Sequence, residues 1–194
     1  MQKPKLFVTT LLMLGVLGTT SWATTYEVDP VHSKVEFTIR HLVSKVAGGF
    51  NDFKGTIVYD PNNLKTTSFK GTIFTGSIDT NNEKRDNHLR SADFFDVSQY
   101  PTITFESTKV QKEKEKLMVM WNLTMHGVTK AISFPVEVLG MGVHPMTKAP
   151  QVGFEAELVL KRSDFGVNSW TDPAKMVGDE VTIHILIEAN GKTP

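Results

Sequence analysis

Apolar and polar residues alternate with period two along most of this chain. Val35, Phe37 and Ile39 alternate with Glu36, Thr38 and Arg40, and Ile57 and Tyr59 repeat the pattern over a shorter run. Phe69, Gly71 and Ile73 alternate with Lys70 and Thr72, and Ile103 and Phe105 with Thr102, Thr104 and Glu106. Leu117, Val119, Trp121 and Leu123 form a longer run, followed by Ile132, Phe134, Val136 and Val138. Phe154, Ala156, Leu158 and Leu160 alternate in part with Glu155, Glu157 and Lys161, and Val181, Ile183, Ile185 and Ile187 complete the series. Successive side chains of a strand point to opposite faces, so each run predicts a strand with one apolar and one wetter face, about eight strands in all.

Turns rich in Gly, Pro, Asn and Asp separate these runs at 60–63, 79–82, 126–127, 140–150 and 178–179, and the alternating Lys-Glu run at 112–116 reads as a solvated hairpin tip. Two stretches have helical character. One is residues 86–95, with Leu89 and Phe94 on one side, and the other is a short turn in 44–53, weakened by Gly48-Gly49. No strong repeat, linker or low-complexity tract divides the chain, so one domain is the economical reading. Many antiparallel strands in one small domain mean a sandwich or a barrel. Several runs near ten residues slightly favour the barrel, whose interior is either filled or holds one small ligand.

The amino terminus reads as an address. Lys3 and Lys5 precede an apolar stretch at 6–18, and Ser21-Trp22-Ala23 puts small residues where a signal peptidase reads. This is the pattern of a cleaved secretory leader, 1–23, ahead of a single β-domain at 24–194. The apolar stretch is short of the ~20 residues that span a bilayer. Export to the periplasm is expected if the source is Gram-negative. The whole chain has 21 basic and 21 acidic residues, and losing Lys3 and Lys5 leaves a net charge of −2. That balance argues against a nucleic-acid binder, whose affinity rests on excess cations. The absence of cysteine excludes disulfides, thiolate metal sites and thiol catalysis.

Candidate chemistry is sparse. No Gly-x-Ser-x-Gly elbow occurs, and no spacing singles out a Ser, His and acid set. None of His32, His41, His88, His126, His144 and His184 lies three or four residues from another, so no metal site is expected. The densest polar cluster is Ser77-Ile78-Asp79-Thr80, then Arg85-Asp86, then His88-Leu89-Arg90-Ser91. It reads either as turn hydrogen bonds and helix capping or as donors for an anionic or carbonyl head group.

Taken in order, the chain's motifs resemble those of the YceI-like family of bacterial polyisoprenoid-binding proteins. They are Val28-Asp29-Pro30 with His32-Ser33, then Arg40-His41-Leu42, Gly49-Phe50 and Phe53-Lys54-Gly55. The polar cluster above follows, then Asp93-Phe94-Phe95-Asp96 and Tyr100-Pro101 with Ile103-Thr104-Phe105. Leu123-Thr124-Met125-His126-Gly127 and Val128-Thr129-Lys130, Arg162 with Asp164-Phe165-Gly166, and Val177-Gly178-Asp179 complete the set. One departure is Trp121, where the family usually has a small residue. If Trp121 faces inward, the indole narrows a tunnel or stacks on a ligand.

The resemblance implies an all-β fold, an extended eight-stranded antiparallel β-barrel, lipocalin-like, with one or two short helices and an apolar tunnel. It implies a long isoprenoid or other amphiphilic lipid as ligand, no cofactor and no catalysis. The apolar lining would come from Phe37, Ile39, Ile73, Phe105, Val119, Trp121, Leu123, Phe134, Phe154, Leu158, Ile183 and Ile185. Arg40, His41, Arg85 and His88 would hold the polar head. The first expectation is therefore a periplasmic carrier, not membrane-spanning, with a homodimer through exposed barrel edges left open. The alternative is an enzyme or redox accessory protein acting on an isoprenoid quinone or lipid head group through Arg85, Asp86 and His88. The third is an interaction module that binds another exported protein by its outer surface.

Overall fold

The computed structural model describes residues 23–168 and 176–192, so all of the expected leader but Ala23 lies outside it. The strands are β1 (Thr24–Val28), β2 (Lys34–His41), β3 (Ser44–Phe50), β4 (Phe53–Tyr59), β5 (Ser68–Phe74) and β6 (Ile78–Asp79). After helix α1 (Glu83–Arg90) come β7 (Thr102–Glu113), β8 (Lys116–Met125), β9 (Val128–Val143), β10 (Pro150–Lys161) and β11 (Val177–Gly191).

Neighbours run β1-β4-β5-β7-β8-β9-β10-β11, and β11 pairs back onto β1, closing an eight-stranded ring. Every ladder is antiparallel, from β1–β4 round to β1–β11. Within the ring, closure satisfies the backbone groups that an open edge would leave bare. β11 serves two partners on one side. Ala189–Gly191 matches β1, and the stretch from Val181 to Leu186 matches β2. β3 continues from β2 and carries β6, which extends the wall at one end. This end, at the tips of β2, β8 and β10, is the mouth.

The expected strands are present, and the inward positions pair across the ladders: Trp121 with Ile132, Phe154 with Ile187, Phe37 with Ile183, and Phe53 with Ile73. The core divides along the barrel axis. Tyr26, Tyr59, Leu117, Val119 and Val152 pack the far end, and Phe50, Ile78, Phe94 and Phe165 pack the mouth.

Two local expectations are corrected. Residues 44–53 hold no helical turn: 44–50 form β3, and Phe53 begins β4. Gly48 is a packing requirement there, since a Cβ would come within 2.6 Å of Thr80 and 2.8 Å of the Phe37 ring. The helix lies at Glu83–Arg90, earlier than expected, because the Asn82 side chain caps it by accepting from the Arg85 N–H at 3.0 Å. The Ser91 N–H donates to the His88 carbonyl and ends it. The β9–β10 ladder stops at Glu155 opposite Glu137. Toward the mouth the gap is spanned by the Lys130–Asp164 ion pair at 3.0 Å.

Candidate functional site

Two adjacent cavities lie in the barrel. The outer one, about 310 Å³, lies under the mouth, and an inner one of about 110 Å³ lies deeper. Val35, Ile73 and Phe105 line both and lie between them. β2 and β3 bring Phe37, Ile39 and Val46 to the outer chamber, and the α1 region brings Leu89, Phe94 and Phe95 over its top. Phe37, Ile39, Val46, Leu89, Met125, Leu160, Val181 and Ile183 all line it, yet all are only half-buried. Apolar side chains on a barrel's inner face are fully buried when that interior is filled. Their residual exposure belongs to open apolar space.

The inner chamber owes its room to paired glycines. Gly55 and Gly71 face each other across β4 and β5, on the inner face that also holds Phe53, Ile57, Phe69 and Ile73. A Cβ on Gly71 would make only ordinary contacts, 3.8 Å to the Lys54 carbonyl oxygen and 3.9 Å to Phe105. Trp121 faces inward, 8% exposed, stacked on Phe134 with centroids 5.2 Å apart and planes at 10°. Phe69 and Phe105 pack on it at 5.6 and 6.1 Å. Its buried Nε1–H has no hydrogen-bond partner among the described residues.

The polar rim rests on Thr80 and α1. The buried Asp86 carboxylate accepts from the Thr80 N–H at 2.9 Å and from the Thr80 hydroxyl. Arg85 donates through Nε to Thr80 Oγ1 and through Nη2 to the Thr80 carbonyl, both at 2.7 Å. His88 Nε2 lies 2.8 Å from Asp93 and its ring meets Phe94 edge-on. Arg85, His88 and His41 also line the outer chamber. Asp86 is thus committed to Thr80 and does not join Arg85 and His88 as a free acid–base group.

Most of the proposed site residues meet at these chambers. Phe37, Ile39, His41, Arg85, His88, Leu123 and Ile183 line the outer one, Trp121, Phe134, Phe154 and Ile185 the inner one, and Ile73 and Phe105 both. Three do not. Arg40 lies on the outer face of β2, opposite Lys45 and exposed. Val119 and Leu158 point inward but belong to the packed core, 0% and 8% exposed. Val46, Leu89, Phe95, Met125, Leu160 and Val181 line the outer chamber and were not foreseen. For Leu160 and Val181 the signal was present, since each continues an inward run by one more alternate position.

Asp29, His32 and Glu188 bring one donor atom each to within 4.8 Å of one another outside the barrel. Asp29 accepts from His32 Nδ1 at 2.9 Å, from the Val31 N–H at 2.9 Å and from Asn190 at 3.3 Å. The His32 hydrogen bond, against some desolvation, holds the Asp29 carboxyl below the usual carboxylate range. The same bond, then the Asp29 charge, raises the His32 imidazole above its ordinary value. The pair is complete below the free imidazole value of about 6.5 and is lost as pH rises through the elevated His32 pKa. It is also complete above the free carboxylate value of about 3.9 and is lost as pH falls through the depressed Asp29 pKa. NMR titration should place His32 above about 6.5, and Asp29→Asn should return it there. A His32 titrating at the free value in the unaltered protein contradicts the pair.

A closed barrel with apolar chambers under a polar rim belongs to the class of small antiparallel β-barrels whose interior has room for a ligand. The model of the YceI-like domain matches residues 26–189. A UPF0312 protein of Pectobacterium atrosepticum is 37% identical over 191 residues, 97% of each chain. Protein YceI of Salmonella arizonae is 40% identical over 169 residues, 86% of each. The chain belongs to the YceI-like family. Among solved structures it is similar to Burkholderia cenocepacia BcnA, with a TM-score of 0.75, 28% identity and coverage of 83% of this chain and 98% of that one. A polyisoprenoid binding domain from Saccharophagus degradans, implicated in plant cell wall breakdown, shares the fold at a TM-score of 0.68. That match has 14% identity and covers 87% of this chain and 99% of the other.

Proposed function

We propose that this chain is an exported, non-enzymatic carrier that holds an isoprenoid or other long-chain amphiphilic lipid in its barrel. The observation that carries the reading is the set of inward apolar side chains left half-buried around the outer chamber, with a second apolar chamber beside it. Covering such surface stabilises a bound chain by about 25 cal/mol per Å², less the cost of ordering it. The head group would lie among His41, Arg85 and His88 at the rim. Two features support this over chemistry on a lipid head: the Asp86 carboxylate is engaged by Thr80, and the fold is shared with a polyisoprenoid binding domain. Export rests on the leader pattern at 1–23.

Native mass spectrometry after mild purification should show a co-purifying apolar molecule. In a Trp170→Phe background, Trp121 fluorescence should report prenol binding. Affinity should rise by about a hundredfold per added isoprene unit until the chambers are full. A protein that takes up no apolar chain in either measurement sinks the proposal.

A further inference from the structure

The β2–β3 hairpin tip breaks two local rules without any return to the fold. His41 pairs with Ser44, leaving a two-residue turn of Leu42 and Val43. Leu42 has φ +49°, the left-handed region that hairpin turns reserve for Gly, Asn or Asp and that strains a bulky residue. Both side chains project outward, 50% and 95% exposed. The turn is nonetheless pinned, because the Leu42 N–H donates to the Met176 carbonyl at 2.8 Å. The other two-residue hairpin tips, His126-Gly127 at the mouth and Lys114-Glu115 at the far end, also hold a non-glycine residue at positive φ, +51° and +55°, but neither presents an aliphatic side chain.

The second broken rule lies just behind the tip. Arg40 and Lys45 are direct cross-strand partners on the outer face, both exposed, and like charges placed so repel. Neither has an acid partner among the described residues. Asp179 on the adjoining strand has both oxygens engaged by Ser163, at 3.0 and 2.7 Å, and Glu180 lies in register with Lys161. An exposed apolar pair backed by two unpaired cations fits an interface that is apolar inside and anionic at its surface. His41 and Val46 of the same hairpin line the outer chamber.

We propose that the Leu42-Val43 tip docks this protein on a lipid bilayer bearing anionic headgroups, with Arg40 and Lys45 on those headgroups and the mouth of the barrel at the membrane surface. The docking surface stands apart from the cargo, because it lies outside the chambers.

Flotation of the purified, delipidated protein with phosphatidylcholine vesicles, with and without phosphatidylglycerol, tests it. The protein should float with the anionic vesicles and be released by salt. Leu42→Asn with Val43→Gly supplies the residues such a turn favours. It should melt no lower than the unaltered protein and lose about tenfold or more in binding. Val43→Asp, which leaves the turn's strained residue in place, should lose as much. Arg40→Gln and Lys45→Gln should each lose about fivefold, with a weaker salt response. Failure of the unaltered protein to float, or tip variants that float equally well, overturns the proposal. So does retention by a protein partner without flotation. Cargo is measured separately by native mass spectrometry, so either result stands without the other.

Discussion

Gly71→Leu should leave the barrel folded while shortening the longest prenol it holds and weakening binding of that prenol by about a hundredfold. Gly71 lies on the inner face of β5 beside Phe105, opposite Gly55, where a Cβ has ordinary room. A leucine there extends into the inner chamber of about 110 Å³, against Trp121 and Phe134. One isoprene unit excluded from that space forfeits five carbons at about 0.8 kcal/mol each, and about 3 kcal/mol survives the ordering cost. The fold should not suffer, because glycine in a strand interior costs roughly 0.5–1 kcal/mol relative to alanine. Gly55 provides the contrast. A Cβ there would lie 2.8 Å from the Lys70 carbonyl oxygen, so Gly55→Ala should lower the melting temperature where Gly71→Leu does not. A chain-length series of prenols read by Trp121 fluorescence, beside thermal melts, measures both effects. Unchanged affinity and length in Gly71→Leu would show that the chain does not reach the inner chamber.

Alternation made the long strands legible, because each has one face against the interior and one against water. The same parity places Arg40 with Glu36 and Thr38 on the outer face of β2, and His41 with Ile39 on the inner. Its motif neighbourhood, not its parity, made Arg40 a head-group candidate. Parity does not say how far along the axis a residue lies. Val119 and Trp121 share a face, but only the ladder register puts Val119 in the packed end and Trp121 beside open space. β3 was masked by Gly48-Gly49, which reads as a break until Phe37 and Thr80 are seen pressing on Gly48. With β3 unseen, Val46 could not be placed in the lining. β6, at 2 residues, is too short for alternation to register.

Asp86→Ala should lower the melting temperature by about 10 °C and loosen the cover of the outer chamber. Asp86 and Thr80 are 5% and 4% exposed, and the carboxylate is the acceptor for both the Thr80 N–H and its hydroxyl. Alanine leaves two buried donors unsatisfied, at roughly 1–3 kcal/mol each. A loss of about 3–4 kcal/mol in a chain of this size corresponds to about 10 °C. Asp86→Asn keeps one carbonyl acceptor and should lose about half as much. The damage should be local first. Arg85 bonds to Thr80, and Arg90 donates at 2.8 Å to the carbonyls of Gly76 and Ile78, so α1 is fastened to the β5–β6 corner at both its ends. With the Asp86 fastening gone, the segment carrying Leu89, Phe94 and Phe95 is freer to lift from the chamber. Amide exchange in α1 should accelerate before exchange in β8 or β10, and a bound prenol should leave faster. A melt within ~2 °C of the unaltered protein would show that Thr80 finds other acceptors, and that Arg90 and the aromatic contacts hold the helix by themselves.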